Sequence, residues 1–184
     1  MNTSRTTLDT TTTLAGAPRL GVDIGRVIIL GDGPDTSFIG GSDEDALRTP
    51  PVPGALEQLA ELTAQLEGRV WLVSKCGPRV QQRTRAWLGH HRFFERTGIR
   101  RDHLHFCRDR REKAPICAKL GIGLFVDDRV DVLVAMEGVV PGRFLFGASR
   151  SPVPGLVPVA TWAEARVALD DALSVRLRGP RRPA

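Results

Sequence analysis

Short apolar runs alternate with longer stretches of helical spacing from residue 19 onward, and this alternation constrains the fold more than any other feature. The short β-branched and apolar runs predict strands over residues 20–24, 70–73, 103–107, 124–126 and 143–146. The longer stretches, several of which begin with proline, predict helices over residues 54–66, 78–88, 115–120, 128–136 and 161–173. This order is typical of a parallel sheet covered by helices on both faces. We therefore predict an α/β fold with a three-layer, Rossmann-like parallel sheet.

The length of 184 residues suits one domain, which we place at residues 18–175. Residues 1–17 are rich in threonine and lack the apolar block of a secretory signal, so we expect a disordered leader. Residues 176–184 form a basic tail. Residues 31–53 are rich in glycine, proline and acidic residues, which predicts a long, lid-like loop at the carboxyl edge of the sheet.

The composition indicates which cell compartment and which classes of partner to expect. No apolar run reaches the roughly 18–20 residues that a membrane helix needs, so we expect no membrane association. Three cysteines, Cys76, Cys107 and Cys117, form no CxxC pair and favour a reducing compartment, by default the cytoplasm. The net charge of +5 suits anionic ligands. Without a recognised motif or interleaved aromatic residues, this charge does not indicate a nucleic-acid partner.

Polar residues stand at the ends of three predicted strands. Asp23 lies in the first strand near its end, Ser74 follows the second, and Asp127 and Asp128 follow the fourth. Ligands of open parallel sheets bind beyond the carboxyl ends of the strands, where the strand order reverses. Adjacent carboxylates after an apolar run also repel each other unless a cation is near. These positions therefore predict a polar site at one edge of the sheet.

Four segments in order, GVDIGRVII, VWLVSKCG, REKAP and LFVDDR, carry a more specific signal. Together they resemble the four-motif signature of the haloacid dehalogenase-like phosphohydrolases, over residues 20–146. In that family one strand ends in a nucleophilic Asp, a second ends in Ser or Thr, a Lys lies at a helix, and a further strand ends in paired acids. The resemblance implies a phosphatase-type member with a minimal cap loop, because few residues separate Lys75 from Lys113.

The resemblance also implies a role for each residue. Asp23 would attack phosphorus and form an aspartyl-phosphate. Mg²⁺ would be held by Asp23, the carbonyl of Gly25 and Asp128, with Asp127 in support. Ser74, the backbone N–H of Lys75 and Lys113 would contact the phosphoryl oxygens, and Lys113 would also pair with Asp23. The expected function is Mg²⁺-dependent hydrolysis of a phosphorylated small molecule.

Gly25 departs from the pattern of the family's phosphatases, which have a second Asp two residues after the nucleophile. That Asp serves as general acid and base, a contribution worth about 10²- to 10⁴-fold in rate. Asp32 or Asp35 of the loop could supply the missing acid, or the substrate could have a leaving group that needs little protonation. Alternatively, the chain has altered chemistry, or binds phosphate in a regulatory role without catalysis. Arg26, where the family usually has Gly, could bind a second anionic group of the substrate or lie at the surface.

Overall fold

The computed structural model describes residues 17–31, 41–147 and 152–178. The predicted leader, except Ala17, lies outside the described residues, as do residues 179–184 of the predicted tail and residues 32–40 of the predicted loop. Within the described ranges, no helix has both the length and the apolar character that a membrane span requires.

One sheet of six strands forms the centre of the described structure, and all neighbouring strands are parallel. The strands are β1 (Leu20–Val22), β2 (Val70–Lys75), β3 (Leu104–Cys107), β4 (Leu124–Asp127), β5 (Gly142–Phe146) and β6 (Val157–Val159). Their order across the sheet is β3-β2-β1-β4-β5-β6, so the order reverses between β1 and β4. The predicted Rossmann-like α/β fold is confirmed, and the reversal identifies the edge at which such sheets bind ligands.

Seven α-helices accompany the sheet in the part of the chain that the structure describes. They are α1 (Asp43–Arg48), α2 (Ala55–Gln65), α3 (Pro78–His90), α4 (Phe93–Thr97), α5 (Lys113–Leu120), α6 (Val130–Ala135) and α7 (Trp162–Arg178). Two 3₁₀ helices, Arg101–His103 and Arg110–Glu112, lie on either side of β3.

Two hydrophobic cores lie on opposite faces of the sheet because alternate residues of a strand point to opposite sides. Val22 and Leu72 belong to the core that includes residues of α2, α3 and α7. Val73 and Phe125 belong to the core that includes residues of α5 and α6. The helices therefore form the outer layers of a three-layer structure, and the strand ends remain available for a site.

Two α-helices and one strand were not expected from the sequence. Helix α1 lies inside the stretch predicted as a loop, and only Ala46 of this helix is buried, so it has no apolar periodicity to reveal it. A capping box between Ser42 and Asp45 stabilises its first turn instead. Helix α4 has only five residues. Strand β6 contains Pro158, which an edge strand tolerates because one side of its backbone is unpaired.

All five predicted helices begin or end at residues other than the predicted ones. Helix α5 begins at Lys113, before the predicted start at Pro115, because a proline in the first turn removes an N–H that has no partner within the helix. Helix α7 continues to Arg178, past the predicted start of the tail at residue 176.

Candidate active site

The end of β1 positions Asp23. Its backbone N–H donates to the carbonyl of Val126 on β4 at 2.9 Å, which continues the pairing of the two strands by one residue. The strands on both sides of β1, which are β2 and β4, are buried. Asp23 therefore lies deep at the carboxyl edge of the sheet, and the residue is 7% exposed. A carboxylate at this depth needs a cationic or hydrogen-bonding partner.

Lys113 supplies that partner. Its Nζ lies 2.8 Å from Asp23 Oδ1 and 2.7 Å from Asp127 Oδ2, and the residue is 3% exposed. Burial by itself lowers the pKa of Lys113, but the attraction of the two carboxylates is larger in sum and holds the pKa above its ordinary value. Lys113 is therefore a charged ammonium shared by two buried carboxylates.

The local sequence explains how a lysine reaches this position. Asp109 and Glu112 form a capping box around the 3₁₀ helix before α5, and the Glu112 side chain accepts from the backbone N–H of Arg108. These contacts fix the turn between β3 and α5. Lys113 is consequently the first residue of α5, directed over the sheet edge.

The paired acids at the end of β4 differ in their surroundings. Asp127 is fully buried, and its Oδ1 accepts from the backbone N–H of Arg129 at 3.0 Å while its Oδ2 contacts Lys113. Burial raises the pKa of Asp127, and the attraction of Lys113 opposes this shift. Asp128 instead faces Arg26, whose NH1 lies 3.1 Å from its Oδ2. Burial and the charge of Asp23 raise the pKa of Asp128.

Asp23, Asp127 and Asp128 together offer ligand atoms to a cation. One carboxylate oxygen from each lies within 4.8 Å of the others. The structure thus brings together Asp23, Lys113, Asp127 and Asp128, four of the residues predicted from the sequence. Their catalytic and metal-binding roles remain predictions.

Ser74 and Lys75 lie at the same edge of the sheet, at the end of β2. The register pairs Val22 with Leu72, so Ser74 stands one residue further toward the carboxyl edge than the residue beside Asp23. Ser74 is buried, whereas Lys75 is exposed. The predicted phosphate contacts of both residues remain predictions.

A tight turn after Asp23 carries Gly25 and Arg26. Gly25 forms an isolated bridge with Ile29, and the N–H of Arg26 donates to the carbonyl of Ile29 at 2.8 Å. Arg26 has φ 62°, the left-handed region that a non-glycine residue rarely adopts. Apart from its two neighbours in the chain, no described residue has an atom within 4 Å of a Cβ built on Gly25, so a side chain at this position has room. Asp32 and Asp35, the predicted substitutes for the missing acid, lie outside the described residues.

Two structural supports of the site were not predicted. Trp162, the first residue of α7, donates from Nε1 to the carbonyl of Val27 at 2.7 Å and so stabilises the turn after Asp23. Arg83 of α3 is buried and binds Asp43 at 2.8 Å, which attaches α1 to the body of the domain. Neither partner is near in sequence, so no local pattern could have indicated these contacts. The Arg26–Asp128 pair also went unpredicted, although both residues adjoin predicted site residues.

Comparisons with known proteins support the fold described above. No family model matches this chain, and no curated protein matches it in sequence. The structure is similar to the crystal structure of a haloacid dehalogenase-like family hydrolase from Xanthomonas campestris, with a TM-score of 0.50 and 15% sequence identity. The two chains share a fold. The similarity covers 74% of this chain and 61% of the Xanthomonas chain, so this chain spans less than two thirds of that hydrolase.

Proposed function

We propose that this chain is a Mg²⁺-dependent phosphohydrolase that acts on a phosphorylated small molecule through an aspartyl-phosphate at Asp23. One observation carries the proposal: Lys113 is buried between Asp23 and Asp127, with Asp128 beside them, at the switch point of a parallel sheet. The fold shared with a haloacid dehalogenase-like hydrolase agrees with it. A structural pair alone would not need three carboxylates for one lysine.

The donor set fits a magnesium ion. The three clustered groups offer oxygen ligands only, which Mg²⁺ prefers. Both oxygens of Asp127 already accept hydrogen bonds, so Asp23, Asp128 and the Gly25 carbonyl are the residues that would hold the ion, with Asp127 in support. When bound, the ion would neutralise charge on the phosphoryl group.

The remaining chemistry belongs to the protein's own side chains. Lys113 engages Oδ1 of Asp23, which leaves Oδ2 to attack phosphorus. The bond from phosphorus to the leaving oxygen breaks, that oxygen keeps the electron pair, and Asp23 becomes an acyl phosphate. Water then attacks this phosphorus, and the carboxylate and inorganic phosphate are released. Lys113, Ser74 and the Lys75 N–H would stabilise the charge on the phosphoryl oxygens in both steps.

A second candidate function is favoured by Gly25. With no carboxyl group at this position, the described residues hold no acid in place of the family's second Asp, and a phosphate-binding or regulatory domain without turnover would need none. Turnover separates the two functions. Weak or absent hydrolysis together with phosphate binding supports the second, whereas release of phosphate that requires Asp23 supports the first.

The test is a phosphate-release screen over phosphorylated metabolites in the presence of Mg²⁺. The Asp23→Asn variant should lower turnover by about 10³-fold or more, because an amide is a very poor nucleophile. Asp102→Asn is a matched control, since Asp102 pairs with Arg100 at the surface, away from the cluster. Turnover that survives in Asp23→Asn contradicts the aspartyl-phosphate mechanism.

A further inference from the structure

Arg26 forms an ion pair with Asp128, one of the three clustered carboxylates. Its NH1 lies 3.1 Å from Asp128 Oδ2, and the Arg26 side chain is 45% exposed whereas that of Asp128 is 9% exposed. The backbone of Arg26 is fixed by its N–H bond to Ile29, so the side chain can change rotamer without movement of the turn. The backbone of Arg26 is therefore fixed, whereas its guanidinium can reorient.

A divalent ion bound in the cluster would oppose the ion pair between Arg26 and Asp128. Lys113 contacts Asp23 and Asp127, whereas Asp128 forms an ion pair with Arg26. A divalent ion bound by Asp23 and Asp128 would need an Asp128 oxygen and would repel a guanidinium so close to it. The ion and Arg26 therefore compete for the same carboxylate.

We propose that Arg26 is an exchangeable counter-ion: Mg²⁺ displaces its guanidinium from Asp128, and the released guanidinium binds a second anionic group of the substrate. This inference rests on the proposed function. It identifies the substrate class as phosphate monoesters that carry a further anionic oxygen group, such as a carboxylate or a second phosphate. A guanidinium suits either group because its planar donors match paired oxygens.

The exchange couples the metal to substrate choice. In the structure the Arg26 guanidinium is paired with Asp128. When Asp128 holds the ion, the guanidinium would instead donate hydrogen bonds to an anionic group of the ligand. Arg26 directly follows Gly25, the position at which the family's second acid is missing, so the released guanidinium lies on the turn that borders the reacting phosphoryl group.

The first measurement is calorimetry of Mg²⁺ binding to the full chain. Arg26→Gln removes the competing charge and should raise Mg²⁺ affinity about tenfold, whereas Arg26→Lys keeps the charge and should stay near wild type. Arg96→Gln is a matched control, because Arg96 is 47% exposed and pairs with Glu57 rather than with the cluster. Asp128→Asn should lose most Mg²⁺ affinity.

The second measurement is binding of two probes at saturating Mg²⁺: 2-phosphoglycolate, which has a carboxylate, and ethyl phosphate, which has none. Ethylene glycol bisphosphate distinguishes a second phosphate from a carboxylate. Wild type should prefer the two doubly anionic probes over ethyl phosphate by about tenfold, and Arg26→Gln should lose the preference. Equal Mg²⁺ affinity in wild type and Arg26→Gln, or an unchanged preference in Arg26→Gln, overturns the exchange. A wild-type protein that binds no Mg²⁺ overturns the magnesium site itself, and with it the proposed function.

Discussion

Replacement of Lys113 by methionine should destabilise the fold strongly, and more at neutral than at acidic pH. The ammonium is 3% exposed and touches Asp23 and Asp127, so its removal leaves two carboxylates without their shared cation. Methionine keeps the length and apolar stem of lysine, so the change tests charge rather than volume. The variant therefore isolates the electrostatic contribution of the pair.

The magnitude follows from burial. Removal of one partner from a buried ion pair costs about 3–5 kcal/mol, because the remaining charge lies in a medium of low polarity. Solvent screening reduces this little here, since Asp127 is fully buried. A domain's whole free energy of unfolding is about 5–15 kcal/mol, so the loss should be easy to measure.

The pH dependence has a definite sign. Burial raises the pKa of Asp127 in the folded state, and the raise becomes larger when the opposing attraction of Lys113 is removed. A carboxyl whose folded pKa exceeds its unfolded value stabilises the fold below the unfolded value, and this stability is lost as pH rises through the folded value. Lys113→Met should therefore regain stability as pH falls from about 8 to about 5.5.

Urea denaturation at both pH values measures the effect. Lys119→Met is the matched control, because Lys119 lies on the same helix and is exposed. It should change the free energy of unfolding by less than about 0.5 kcal/mol. If Lys113→Met lowers the free energy of unfolding by less than about 1 kcal/mol, or by an amount that does not depend on pH, Lys113 is not a charged group buried between two carboxylates.

Three further predictions concern neighbouring groups. Gly25→Asp, which has room for its side chain, should raise turnover of alkyl phosphates more than turnover of p-nitrophenyl phosphate, because only the alkoxide needs a proton; equal gains in steady-state assays would contradict this. Cys76 is buried and desolvation raises its pKa to about 12, so mass spectrometry should find it unmodified by iodoacetamide at neutral pH until urea is added; rapid native labelling would contradict the placement. Trp162→Phe leaves the Val27 carbonyl without its donor and should cost about 1–3 kcal/mol in urea unfolding, whereas no loss would show that the bond is dispensable.

The fold was predictable because its central elements follow simple periodicities. Strands β1, β2 and β4 are buried on both faces and read as continuous apolar runs. Their alternation with amphipathic helices left few topologies to consider. The elements that were missed lack such periodicity: α1 is held by its caps and by Arg83, and β6 is a three-residue edge strand.

The residues of the candidate site and the pairing of Lys113 with Asp23 were predictable, but the other contacts were not. Asp23, Lys113 and the paired acids could be recognised from their order at strand ends and from the family resemblance. The resemblance implied Asp128 as a metal ligand with Asp127 in support, but the ion pairs of Asp127 with Lys113 and of Asp128 with Arg26 became visible only in the structure. That division depends on the turn after β1 and its positive φ, a tertiary feature that no local pattern encodes.

The most direct test of the central claim is peptide mapping of the protein after an acid quench in the presence of Mg²⁺ and acetyl phosphate. We expect a phosphoryl group on the peptide that contains Asp23, and no such group in the Asp23→Asn variant. A protein that turns over phosphate esters without any phosphoryl group on Asp23, or with the group on another residue, would contradict the assignment of Asp23 as the nucleophile.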